Sequence, residues 1–111
     1  QFGLPVMWTN ARERGVTLHN LTRWMSQRPA ELAGLSHCKG ELKVGYDGDL
    51  VIWNPERSFV VEPAIIQHKH KLTPYNGRTL YGVVEAVYVR GQQVYKQGEF
   101  SAKPQGQLIL K

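Results

Sequence analysis

The sequence predicts an α+β chain in which helices come first and strands follow. Apolar residues recur at helical spacing up to about residue 35. Beyond Lys39, glycines punctuate short segments rich in valine, isoleucine, tyrosine and tryptophan. The change of pattern falls near Ser36–Lys39, and no repeat or low-complexity stretch interrupts the order.

The elements follow from local chemistry. Pro5 suits a first helical turn, where its missing N–H costs nothing, and Val6 to Arg14 continue the helix to Gly15, which can close it in a left-handed conformation. Thr17 is a good N-cap for a second helix, whose Leu18, Leu21, Trp24 and Met25 share one apolar face. Ser26 and Pro29 then predict a restart into a short helix, Pro29 to Ala33, closed by Gly34. Leu50-Val51-Ile52-Trp53 reads as a buried strand stopped by Asn54-Pro55, and Ser58 to Val61 as a second strand. Val83 to Val89 is the strongest strand, turned back by Arg90-Gly91-Gln92 into Gln93-Val94-Tyr95. Residues 62–80, with Pro63, Pro74 and Gly77, read as an irregular excursion carrying a helical turn.

Length and charge bound the function classes. A chain of 111 residues fits one domain at most. With 41% hydrophobic and 21% charged residues, it is neither disordered nor collagen-like. Its longest apolar runs fall far short of a bilayer, so a soluble chain with no membrane partner is expected. The net charge of +5 is spread along the sequence, and only Lys69–Lys71 approaches a cluster. A stand-alone module for RNA or another polyanion would rest on charge and scattered aromatics alone, so no nucleic-acid partner is expected. The single cysteine, Cys38, forms no internal disulfide and points to a reducing intracellular compartment. His37 and Lys39 flank it, but no oriented base or oxyanion site accompanies it, and it reads as a loop residue. The start inside an apolar phrase at Gln1, and helices such as that of Met7 and Trp8 with little to pack on, predict the tail of a larger protein.

Three groups invite a chemical reading. His68 and His70, at i and i+2, could share a metal on a strand, but no aspartate or glutamate lies between Glu62 and Glu85 to complete a ligand set. Asp47 and Asp49 sit in a turn with no pocket to tune them, and read as structural. Trp8, Trp24 and Trp53 are placed in core packing rather than as stacking platforms.

The phrase from Lys39 through Gly45, Asp47, Gly48 and Asp49 to Trp53 resembles the KGxIxxGxDADLVxxD segment near the end of amidohydrolase-superfamily enzymes. Arg28-Pro29-Ala30 to Gly34-Leu35 resembles their NPAxxxGL helix. Gly48 stands for a common alanine and Asn54 for a common aspartate. Within that superfamily, residues 1–12 resemble the helix after the last barrel loop of the allantoinases. Lys71-Leu72-Thr73-Pro74-Tyr75, Gly77-Arg78, Leu80 and Gly82 resemble their KLTPYxGRxLxG stretch, and residues 87–95 their closing hairpin. Dihydroorotases share a looser version, and dihydropyrimidinases differ more in the opening helix.

The resemblance implies a (β/α)8 barrel joined to a small β-sandwich built from both chain ends. Such a barrel takes about 250 residues, so residues 1–36 would be its last helices and residues 37–111 part of the sandwich. It also implies hydrolysis of the cyclic amide of allantoin to allantoate, in purine degradation, by an intracellular homotetramer. Two zinc ions with a carbamylated lysine would supply the chemistry, and all of their ligands would lie before Gln1. No catalytic, cofactor-binding or metal-binding residue is therefore expected in this chain, which alone should be inert. Another cyclic-amide hydrolase, or a non-catalytic relative serving assembly, is the alternative. The end, Gln107 to Lys111, is not a peroxisomal tripeptide, and the compartment among cytoplasm, peroxisome and mitochondrion stays open.

Overall fold

The computed structural model describes residues 1–104 and 106–109; Leu110 and Lys111 of the terminal motif considered above fall outside them. Helix α1 spans Gly3–Glu13, α2 Leu18–Thr22 and α3 Arg28–Leu32, with a π-helical turn at Arg23–Gln27 between the last two. Strands β1 (Leu50–Val60), β2 (Thr79–Val89), β3 (Gln92–Lys96) and β4 (Glu99–Phe100) form one sheet in the order β1-β2-β3-β4. Helices followed by an antiparallel sheet make this the expected α+β fold.

The helix signals act as their chemistry suggests. Gly15 takes φ +69° just past α1, and the Thr17 hydroxyl accepts the Asn20 N–H at 3.3 Å, capping α2. The chain does not restart at Ser26, however. Helical backbone continues from α2 into α3, and the Arg28 N–H reaches back to the Arg23 carbonyl in an i→i+5 bond. Pro29 explains the widening: its ring would collide with the Met25 carbonyl in a regular helix and it brings no N–H, and a wider turn relieves both. The expected apolar face is also corrected. Leu21 is 2% exposed, whereas Leu18 lies open and Trp24 is 47% exposed.

The strands differ from expectation more. Asn54-Pro55 does not stop the first strand: β1 runs through it to Val60. The Asn54 side chain accepts the Glu56 and Arg57 amides at 3.0 and 3.2 Å, so these donors are satisfied locally. Because β1 lies at the sheet edge, the missing N–H of Pro55 is tolerated. Nor is the apolar run buried, since Val51 is exposed, Ile52 is 47% exposed, and Trp53 is half-buried. β2 begins at Thr79 rather than Val83, so the irregular excursion closes at Arg78 and holds a 3-10 turn at Pro63–Ile65. The hairpin at Arg90-Gly91 is as expected, with φ of +49° and +75° and Val89 paired to Gln92. A second two-residue turn, Gln97-Gly98, with φ of +47° and +96°, adds the short β4.

Contacts group the described residues into two units. One comprises Gln1–Leu21 with Asn54–Val83, and the other Thr22–Trp53 with the chain from Val84 on. The core of fully or nearly buried residues Phe2, Val61, Ile66 and Leu80 lies in the first, with Val6, Phe59 and Tyr75 packed against it.

Candidate functional site

In the first unit, α1 is held by side chains on one face. The buried Thr9 hydroxyl donates to the Pro5 carbonyl at 2.7 Å and accepts the Tyr81 amide at 2.8 Å, so a helix residue stands in for a strand partner on β2. Trp8 Nε1 donates to the Pro55 carbonyl at 2.8 Å. The Arg12 guanidinium lies 3.8 Å above the Tyr81 ring and pairs with Glu56 at 3.2 Å. Its Nη1, buried with no hydrogen-bond acceptor, belongs to the same stacked group. Trp8 is buried, which fits the core role expected of it; the sequence carried no comparable signal for Thr9 or Arg12, because each acts through a distant partner.

His68 and His70 lie in the excursion and are exposed. The His68 Nε2 faces the Leu72 carbonyl at 3.1 Å, a loop contact. Among the described residues, no group of three or more His, Cys, Asp or Glu could hold a metal ion. The donors present therefore do not fit the dinuclear zinc centre that the resemblance implies, and no reaction step is derived through such a centre. Cys38 is half-buried, and its thiol donates to the Leu35 carbonyl at 3.6 Å. His68 and Cys38 each face a backbone carbonyl.

The most organised polar cluster belongs to the second unit. The Lys39 ammonium bridges Asp47 at 2.7 Å and Asp49 at 2.5 Å. Asp49 also accepts the Arg90 amide at 2.8 Å, and the Gly48 carbonyl accepts the Gly91 amide at 2.9 Å. The loop is thereby fastened to the β2–β3 turn. A Cβ on Gly48 would meet the Gly91 nitrogen at 2.9 Å, which explains the glycine there. Hydrogen bonds to Asp47, then to Asp49, raise the Lys39 pKa above its ordinary value. Burial alone would raise Asp49, but the Lys39 bond and the Arg90 N–H outweigh it and hold the carboxyl low. With its carboxyl held low by Lys39 and the Arg90 amide, Asp49 is a poor general base. Sequence reading saw the two aspartates but missed Lys39 as their partner.

Both clusters tie a helix or a loop to strand or turn backbone. The sequence pattern described as "Amidohydrolase family" matches residues 7–95. The chain belongs to the amidohydrolase family. This amidohydrolase chain is 43% identical over 109 residues to an allantoinase of Streptomyces avermitilis, covering 98% of itself and 24% of that protein. It is 44% identical over 112 residues to an allantoinase of Arabidopsis thaliana, covering 99% and 22%. Among solved structures it superposes on the L-hydantoinase (dihydropyrimidinase) of Arthrobacter aurescens with a TM-score of 0.83 and 34% identity, covering 90% of itself and 22% of that chain. The D-hydantoinase (dihydropyrimidinase) of a Thermus species gives a TM-score of 0.83 at 25% identity, covering 92% and 22%. The chain thus spans under a quarter of the length of the curated relatives it matches. In this amidohydrolase chain, the family-like phrase from Lys39 to Trp53 is the clasped loop leading into β1, and the KLTPY stretch closes the excursion.

Proposed function

We propose that this chain is the closing, scaffold portion of an allantoinase, with the catalytic centre formed by residues outside it. The observation that carries the reading is identity of 34–44% to allantoinases from bacteria, a plant and yeast along 97–99% of the chain. On this reading residues 1–36 are the last helices of a (β/α)8 barrel and residues 37–111 part of its β-sandwich. On this reading the residues that would hold two zinc ions with a carbamylated lysine lie outside this chain, and the metals would supply Lewis-acid chemistry for opening the cyclic amide of allantoin to allantoate. The assembled enzyme is an intracellular homotetramer acting on this small molecule. Among the described residues no helix is long and apolar enough to cross a membrane.

The 34% identity and TM-score of 0.83 to an L-hydantoinase keep one second reading in view, a hydrolase of hydantoins or dihydropyrimidines. A substrate panel on the intact natural protein separates the two. Allantoin should be hydrolysed with a kcat/KM at least tenfold above that for hydantoin or dihydrouracil. The reverse order would replace the allantoinase reading with the hydantoinase one, and no turnover of any of them would favour a relative serving assembly alone.

A further inference from the structure

The excursion between β1 and β2 is closed on itself. At its neck the Val61 N–H donates to the Arg78 carbonyl at 3.0 Å and the Gly77 N–H to the Val61 carbonyl at 2.8 Å. Within it, the Ile65 and Ile66 amides bond the Glu62 and Pro63 carbonyls, and the Arg78 amide bonds the Tyr75 carbonyl. The Lys71 ammonium folds back onto the Ile66 carbonyl, and His68 onto that of Leu72. A loop with adjacent ends and its own internal bonds is built as an Ω-loop.

Three contacts hold this loop in place, one of them Tyr75 packed against the buried cluster. Ile66 is fully buried with Phe2, Val61 and Leu80. The Gln1 side-chain amide makes a two-way pair with the loop backbone, its Nε2 donating to the Ile65 carbonyl at 2.7 Å and its Oε1 accepting the Gln67 N–H at 2.9 Å. One amide thus grips the loop on either side of its buried anchor.

We propose that residues 62–77 form a strap that opens as one unit about Val61 and Arg78, with Gln1 as its latch, uncovering an apolar seat made by Phe2, Phe59, Val61 and Leu80. The bonds within residues 62–77 survive opening, since both partners of each move together, whereas the Gln1 pair, the Ile66 and Tyr75 contacts and the Gly77–Val61 neck bond break. This inference does not depend on the enzymatic reading. Local opening of such a unit is read by amide hydrogen exchange.

The test is hydrogen exchange on the intact natural protein, followed by NMR or mass spectrometry. In the wild type, the Gln67 and Gly77 amides should share one opening rate, faster than that of Tyr81, which is bonded to Thr9. Because Gln1→Ala removes the acceptor of the Gln67 amide itself, Gly77 is the reporter in that variant: its exchange should speed by about tenfold, as two lost hydrogen bonds would, with Tyr81 unchanged. Gln1→Glu keeps the acceptor and loses the donor, and should give an intermediate increase. Unrelated wild-type rates for Gln67 and Gly77 would overturn the strap even if the variants failed to fold. A Gln1→Ala effect that is absent, or that reaches Tyr81 equally, would overturn the latch.

Discussion

In the unit formed by residues 1–21 and 54–83, Val61, Ile66 and Leu80 are fully buried, and the polar side chains around them fix a helix to strand backbone. In the unit formed by residues 22–53 and from 84 on, Val44 is fully exposed, Leu42 and Ile52 lie open, and the loop is held by one lysine, two aspartates and close-packed glycines. The first is ordered by excluding water from side chains, the second by satisfying backbone and charge in a tight turn. Burial stabilises in proportion to the apolar area removed from water, whereas ion pairs open to solvent contribute far less. Resistance to unfolding should therefore concentrate in the first unit, while the second tolerates change except where backbone meets backbone.

The largest expected effect is in the buried cluster. Leu80→Ala should cost about 3 kcal/mol in a denaturant titration of the intact natural protein, while Val44→Ala should cost under about 0.5 kcal/mol. A comparable loss at Val44 would mean that the clasped loop is covered in the assembled protein, and the contrast would collapse. Gly40→Ala comes next. Its Cβ would meet the Ala30 Cβ at 2.8 Å and the Ser26 carbonyl at 3.1 Å, at a φ of +93°. A destabilisation of about 2 kcal/mol is expected by the same titration. A neutral result would show that the second unit yields even where it is tightest.

The smallest effect is electrostatic and carries a pH signature. Lys39→Met should cost about 1 kcal/mol at neutral pH, because all three side chains of the clasp are partly open to solvent. The Asp49 carboxyl is held low, so its contribution is present above the ordinary carboxylate range and is lost as pH falls through the lowered value. The Lys39 ammonium is held high, so its contribution is present below the ordinary lysine range and is lost as pH rises through the raised value. The stability gap between wild type and variant should be flat across neutral pH and shrink at both ends. A gap that widens on acidification would contradict the clasp.

The same contrast explains what was legible in the sequence. Thr17, Gly15 and the Arg90-Gly91 turn declared themselves because each acts on neighbouring backbone. The run Leu50–Trp53 declares a strand but not its exposure, because an apolar pattern does not say what covers it. Asn54-Pro55 looked like a stop, since neither the edge position of β1 nor the local bonds of Asn54 can be seen in one segment. Lys39, Thr9 and Gln1 were silent for a related reason: each finds its partner by the fold, with Gln1 reaching Gln67 and Thr9 reaching Tyr81. The stretches with family-like motifs are readable because turns and strand starts restrict residue type locally.

The central claim is that this chain supplies scaffold while the chemistry lies elsewhere. Allantoin hydrolysis by the purified 111-residue chain with added zinc, measured beside the intact natural protein, tests it most directly. The account predicts turnover by the intact protein and none by the chain alone. Zinc-dependent turnover by the chain alone would contradict it.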